Sequence, residues 1–274
     1  QDVVPELAGR VGAIVDLAAD FRLRDPALYP AWYGEEHTHP ELLDRFVYGL
    51  PELFRDQIAT ADRVAAPGCY VTTAVLALAP LLRAGLISPT GIVVDAASGA
   101  SGAGRPPKPT TTFCAVDENF TAYGLFDHRH TPEIEQGLTD VAGTDVQVLL
   151  TPHLAPMTRG ILATCYARPA APGATTADLL AVVRDAWANE RFMVVTESSP
   201  STKARLERGA RDRDGRPPHR LGRGPRCARQ PGQGRVGPGD PVRQPDAGPA
   251  RGRRPAHRGD LPVSPVAPVL GVSP

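Results

Sequence analysis

The sequence predicts a mixed α/β plus α+β chain whose globular part ends near residue 204. Three observations carry that prediction. Short apolar runs closed by Asp, Pro or Gly alternate with helix-length stretches, the order that layered sheets and helices require. The 274 residues, 42% hydrophobic, suffice for one large domain or two ordinary ones with a sizeable core. The zero net charge, from thirty basic and thirty acidic side chains, hides a break in composition. Between Arg205 and Asp260 stand fifteen Arg against five Asp and one Glu, with eleven Gly, nine Pro and no Ile, Phe, Tyr, Trp or Met. Such a segment cannot bury enough apolar surface to offset its ordering entropy, so a disordered tail is expected. The organisation read from these signals is 1–67, 68–204 and a tail, 205–274.

The elements follow in order. Arg10-Val-Gly-Ala-Ile-Val-Asp16 reads as a buried parallel strand, and Ala61–Ala66 as a second short strand closed by Pro67-Gly68. Cys69–Arg83 is apolar nearly all round, which predicts a buried helix that Pro80 would kink or end. Gly91–Asp95 is a strand running into the glycine-rich Ser98–Arg105 loop. Thr131-Pro-Glu-Ile-Glu135 predicts a helix start, with Thr131 as cap, Pro132 at the first position and acids in the first turn. Val146–Leu150 and Gly160–Tyr166 read as strands and Thr176–Asn189 as a helix. No internal repeat is present.

Several classes are excluded by pattern. No apolar run reaches eighteen residues, so no transmembrane helix is expected. The opening QDVVPELAGR lacks the basic-then-apolar order of a secretory signal. Cys69, Cys114, Cys165 and Cys227 show no C-x-x-C or Cys/His spacing, so neither a disulfide framework nor a metal site is expected, and a reducing, cytoplasmic compartment is. No G-x-G-x-x-G fingerprint occurs in residues 1–204.

Cys69 carries the most chemical information. A strand, a Pro-Gly turn and a helix place it at a helix N-terminus, where unpaired N–H groups favour a thiolate. Local context alone reads equally well as a nucleophile or a buried structural cysteine. Cys114 and Cys165, in or beside apolar runs, read as structural. Asp127-His128-Arg129-His130 precedes a helix start and reads as a base with an anion binder, or as a surface cluster. Ser98–Arg105 offers backbone N–H groups without bulky side chains, a shape suited to phosphate. Arg159 reads as an anion binder or as a strand-end side chain.

Taken together these segments resemble N-acetyl-gamma-glutamyl-phosphate reductases. The resemblance rests on Asp16–Arg22, Tyr48–Glu52, Pro67-Gly-Cys-Tyr70, Ser98–Arg105, Glu118-Asn119, Tyr123, His128-Arg-His-Thr-Pro-Glu-Ile-Glu135, Pro152-His153 and Pro156–Leu162, in the family's order over roughly residues 1–204. It implies an incomplete Rossmann-like nucleotide-binding domain (1–67) followed by a glyceraldehyde-3-phosphate-dehydrogenase-like catalytic domain (68–204). It implies NADP as cofactor, an acyl phosphate as substrate, Cys69 as nucleophile and His128 as its acid/base partner. Arg105, His130 and Arg159 would hold phosphate or carboxylate. Ser98, Gly99, Ser101 and Gly102 would border the nicotinamide. The intact family member would be a homo-oligomer. The nearest alternative is a lysine-pathway or aspartyl acyl-phosphate reductase of the same type. An alternative of another class is a basic-tailed nucleic-acid-binding protein, although no aromatic residues interleave the arginines of 205–260 and no specific nucleic-acid partner is expected.

Two departures from the family stand out. The family's opening strand and glycine-rich turn have no counterpart here. In the tail, Cys227–Gly234 can be encoded so that reading one base later gives Ala-Leu-Asp-Asn-Leu-Gly-Lys, and Arg235–Gln244 likewise permits Ala-Ser-Gly-Gln-Ala-Ile-Gln. These match the Asp-Asn-Leu-x-Lys-Gly-x-x-Gly-Gln-Ala segment expected after Ala204, so the resemblance implies a shift of reading frame near residue 205. With the tail as written, poor solubility and little reductase activity are expected.

Overall fold

A computed structural model describes residues 1–104, 106 and 108–202. Arg105 and the 205–274 tail, with the disorder and the frame shift expected there, lie outside the described residues. The described part is mixed α/β, built on two sheets.

The first sheet is parallel, with strand β3 (Arg63–Ala65) between β1 (Ile14–Asp16) and β2 (Val47–Tyr48). Around it lie two short helices, α1 (Val3–Leu7) and α2 (Leu28–Tyr33), and the longer α3 (Pro51–Thr60). Its core is small: Phe21 stacks on Phe46 with ring centroids 4.3 Å apart, and Leu23, Tyr29 and Leu43 close around them. The expectation of a strand buried on both faces fails at β1. Only Ile14–Asp16 pairs, and Val15 is 63% exposed because no described element covers that face.

The second sheet has four strands in the order β5 (Thr121–Ala122), β6 (Val148–Leu154), β4 (Ile92–Ser98), β7 (Ile161–Tyr166). Strands β4 and β6 run parallel, while β7 and β5 are antiparallel to their neighbours. Side chains alternate along β4, with Ile92, Val94 and Ala96 buried. That face packs on helix α4 (Cys69–Arg83), which carries α6 (His130–Ala142) and α7 (Thr176–Ala186) against it. The other face bears a row of Leu149, Val93 and Tyr166 in register, with Leu162 two same-face positions along β7. Leu149 and Tyr166 are exposed there.

Helix α4 occupies the predicted span, because Pro67-Gly68 stops the preceding strand and the following residues are apolar on every side. Pro80 neither ends nor limits it, since the helix continues to Arg83. Pro80 stands in the last turn, where only one helical hydrogen bond is lost. Helix α6 starts two residues earlier than expected, with Arg129 at the cap position and no side-chain cap, so Thr131 is not the cap and Pro132 is the third residue. The strand expected at Val146–Leu150 runs from Val148 to Leu154. Cys165 is buried, but Cys114, on the one-turn helix α5 (Phe113–Val116), is exposed and so is not a core residue. Among the described residues no helix is long and apolar enough to cross a membrane, and no group of three or more His, Cys, Asp or Glu could hold a metal.

Candidate active site

The strand β3, the turn Ala66-Pro67-Gly68 and the first residue of α4 place Cys69 at the edge of a cavity of about 820 Å³. Gly68 has to be glycine: a Cβ there would lie 2.5 Å from Nε2 of His130. The imidazole of His130 is therefore pressed against the backbone one residue before the thiol. Cys69 is exposed to the cavity, yet the cavity walls displace water from it, and this desolvation pushes its thiol above the ordinary range. The N–H groups of Tyr70 and of Cys69 itself pull the other way. The helix end thus contributes the expected stabilisation of a thiolate, but in this state desolvation outweighs it.

His128 and His130 face each other, with centroids 4.7 Å apart and planes at 72°. Desolvation, with help from Arg129, lowers His128 to about 4; desolvation, then His128, Arg22 and Arg129, lowers His130 to about 3. Both rings are neutral near pH 7. Nδ1 of His128 accepts the backbone N–H of His130 (3.1 Å), so the neutral ring carries its proton on Nε2. His130 Nδ1 is buried without a hydrogen-bond partner. The His128 ring is also flanked by the edges of Tyr70 and Tyr123, at 5.6 and 5.7 Å. The hydroxyls of these tyrosines share a 2.9 Å hydrogen bond.

The structure brings Cys69, His128, His130, Ser98, Gly99 and Gly102 to this one cavity. Not every expected residue is there, and not every one present suits its expected role. His130, being buried and neutral, offers no charge with which to hold phosphate. Arg159 is exposed, is not among the residues lining the cavity, and packs its backbone against Gly99, where a Cβ would meet the Arg159 nitrogen at 2.6 Å. Ser101 does not line the cavity. Arg105 lies outside the described residues.

The glycine-rich loop differs most from expectation. The N–H groups of residues 99–102 are not free for an anion. Gly99, Ala100 and Ser101 donate to the carbonyls of Gly160, Met157 and Thr158 at 2.9, 2.9 and 3.1 Å, and Gly102 donates back to Gly99 at 3.1 Å. The cations that do line the cavity are Lys108, to which the sequence reading assigned no role, and Arg129, read there as the anion binder of the Asp127–His130 cluster or as part of a surface cluster.

Glu133 was missed as well. It is fully buried on α6, where Oε1 accepts the Gly68 N–H (2.8 Å) and the Tyr48 hydroxyl (2.7 Å). Arg22 Nη1 stands 3.6 Å from Oε2. Burial raises the Glu133 carboxyl, while Arg22, the Gly68 N–H and Tyr48 restrain the rise. An acid in the first turn of a helix reads in sequence as a partner of the helix dipole, which is why its role was not legible.

Residues 69–210 match the model of the semialdehyde dehydrogenase dimerisation domain. Among curated proteins, the chain is 57% identical over 169 residues to an N-acetyl-gamma-glutamyl-phosphate reductase of Desulforudis audaxviator, covering 62% of this chain and 49% of that one. A protein of the same name from Rhodospirillum rubrum is 52% identical over 197 residues, covering 72% and 56%. One from Symbiobacterium thermophilum is 50% identical over 204 residues, covering 73% and 58%. The chain thus spans about half the length of the curated relatives it matches. In fold it is similar to the crystal structure of aspartate semialdehyde dehydrogenase II from Vibrio cholerae, solved in complex with ASA, with a TM-score of 0.50 at 13% identity over 73% of this chain and 61% of that one. The match over 69–210 takes in Cys69, the paired histidines and the whole second sheet, and by it the chain belongs to the semialdehyde dehydrogenase family, whose dimerisation domain those residues match.

Proposed function

We propose that this site performs the cysteine chemistry of an NADP-dependent reduction of N-acetyl-glutamyl 5-phosphate to the 5-semialdehyde, in arginine biosynthesis. The single observation that carries the reading is the meeting of Cys69, at the first position of α4, with the neutral His128–His130 pair in one cavity. Residues 1–67 would be part of a Rossmann-like nucleotide-binding domain, and 68–204 the glyceraldehyde-3-phosphate-dehydrogenase-like catalytic domain.

The Cys69 sulfur, once deprotonated, attacks the acyl carbon; an S–C bond forms, the C–O bond to phosphate breaks, and phosphate leaves a thioester on Cys69. His128 acts at the acyl oxygen. Its Nε2–H donates to the oxygen as negative charge develops there, and the Nδ1 bond from His130 keeps that tautomer in place. Lys108 and Arg129 attract the polyanionic substrate into the cavity. The cavity volume, and the side-chain-free edge at Gly99 and Gly102, fit the nicotinamide end of the cofactor, which Ser98, Gly99 and Gly102 would border. When bound, it supplies the hydride that reduces the thioester. The engaged N–H groups of Gly99–Ser101 do not fit its pyrophosphate, which must lie elsewhere.

The open apolar face of the second sheet, within a domain whose family is named for dimerisation, supports a homo-oligomer formed through that face. A cytoplasmic location accords with a soluble biosynthetic substrate. Incubating the chain with N-acetyl-glutamyl phosphate and no nicotinamide tests the reading. Mass spectrometry should find the acyl adduct on the Cys69 peptide, released by hydroxylamine and absent in Cys69→Ser. An unmodified Cys69 peptide overturns it. Aspartyl phosphate and the lysine-pathway acyl phosphate, run in parallel, discriminate the substrates of related reductases.

A further inference from the structure

Glu133 is the one fully buried carboxylate among the described residues, and Arg22, at 9% exposure, is the buried cation facing it. Burying such a pair is unfavourable unless its geometry is well satisfied, so what the pair touches indicates what it does. It touches two of the three residues that precede Cys69. Arg22 Nε donates to the Ala66 carbonyl (2.8 Å), and Glu133 Oε1 accepts from the Gly68 N–H (2.8 Å). Between them sits Pro67, which has no N–H of its own to tie the turn down. The two ends of one ion pair therefore hold the carbonyl and the amide on either side of this proline. Tyr48, from the first sheet, donates to the same Oε1, and Arg22 Nη2 reaches the Leu17 carbonyl at 3.3 Å.

We propose that the Arg22–Glu133 pair is a positioning device for Cys69: it fixes the turn that aims the sulfur and supplies the balanced pair of charges that sets the electric field there. This rests on Cys69 being the nucleophile. Other groups line the cavity with the sulfur: Tyr70 on α4, Tyr123, Asp127, Arg129 and the two histidines ahead of and at the start of α6, and Lys108. The histidines are neutral near pH 7, and Asp127, Arg129 and Lys108 are all exposed, where water screens them. Arg22 and Glu133 are buried, so their charges act through less solvent. They also act in opposite senses, with Arg22 favouring the thiolate and Glu133 opposing it.

That opposition gives the test a signature that a packing defect would not reproduce. The full chain is treated with iodoacetamide across a pH series, and alkylation of the Cys69 peptide is followed by mass spectrometry. E133Q keeps an oxygen to accept from Gly68 and Tyr48 but removes the charge, leaving Arg22 unopposed. The midpoint of the rate–pH profile should fall by about one pH unit. R22M should raise it by a similar amount. Y48F, which changes no charge, should leave it in place and serves as the control for local disturbance. If R22M does not fold, E133Q against Y48F still decides. An E133Q midpoint equal to that of the parent chain, in a variant with parental circular dichroism, overturns the proposal while leaving Cys69 as nucleophile. A parent chain whose Cys69 peptide resists alkylation throughout the series overturns both.

Discussion

Residues 1–67 and residues 68–202 are held together by different forces. The second region has a long apolar helix, α4, sealed between a four-stranded sheet and two further helices, with Val71, Ala74 and Val75 fully buried. The first has three strands of two or three residues and one small aromatic cluster, and it leaves Val15 and Leu17 facing out. It compensates with polar ties to α6: Arg22 to Glu133, Arg24 to Asp140, the Gln136 side chain to the Arg22 carbonyl, and the Arg24 N–H to Gln136. Hydrophobic burial gives one region a stable body. Directional bonds give the other a fixed attachment to the helix that carries the site. Precision at Cys69 comes from the second kind of force acting on a scaffold made by the first.

The sharpest way to break this contrast is to remove core volume. Leu138→Ala, at a fully buried position on α6, should cost about 2–5 kcal/mol in urea unfolding, while Leu17→Ala, largely exposed, should stay within about 0.5 kcal/mol. Comparable losses would mean that the first region carries more of the core than its burial indicates. Next is Gly68→Ala, whose added carbon would meet the His130 ring. Displacing that ring should cost about 1–3 kcal/mol and slow Cys69 alkylation well beyond the loss of stability, whereas Gly12→Ala, with open space around it, should do neither.

Acid should act mainly through the histidines. Their pKa values are lowered in the folded chain, to about 4 and about 3, so the unfolded chain binds more protons once the pH drops below the ordinary imidazole value. The stability they contribute is complete above about pH 6.5 and is lost as the pH falls through the folded-state values. Melting temperatures measured from pH 7.5 to 4 should decline, and His130→Asn should flatten the decline. The smallest effect belongs to Arg24→Ala, which breaks a half-exposed pair and should cost less than about 1 kcal/mol. Its trace should be faster amide exchange in β1 and β3 with none in α4.

What the sequence made legible was whatever local patterning determines. Cys69–Arg83 reads as a helix because a Pro-Gly break and an all-apolar run leave no competing period, and Cys69 stands out because that break puts it at the first turn. Pairing of β4 with both β6 and β7 depends on residues far apart in the chain and leaves no local mark. The Ser98–Arg105 loop was misread for the same reason. A glycine-rich run advertises exposed N–H groups, but the 157–160 segment that takes them lies more than fifty positions later. Arg159 looked like an anion binder because arginine beside a strand often is one; here its backbone is the part in contact.

That loop has a mechanical consequence. Because Gly99, Ala100 and Ser101 are stitched amide by amide to Met157–Gly160, one wall of the reaction chamber and the bend leading into β7 form a single plate. Strand β7 carries part of the outward-facing row of the sheet, so a neighbour leaning on that row would push, through one strand, on a wall of the cavity that holds Cys69.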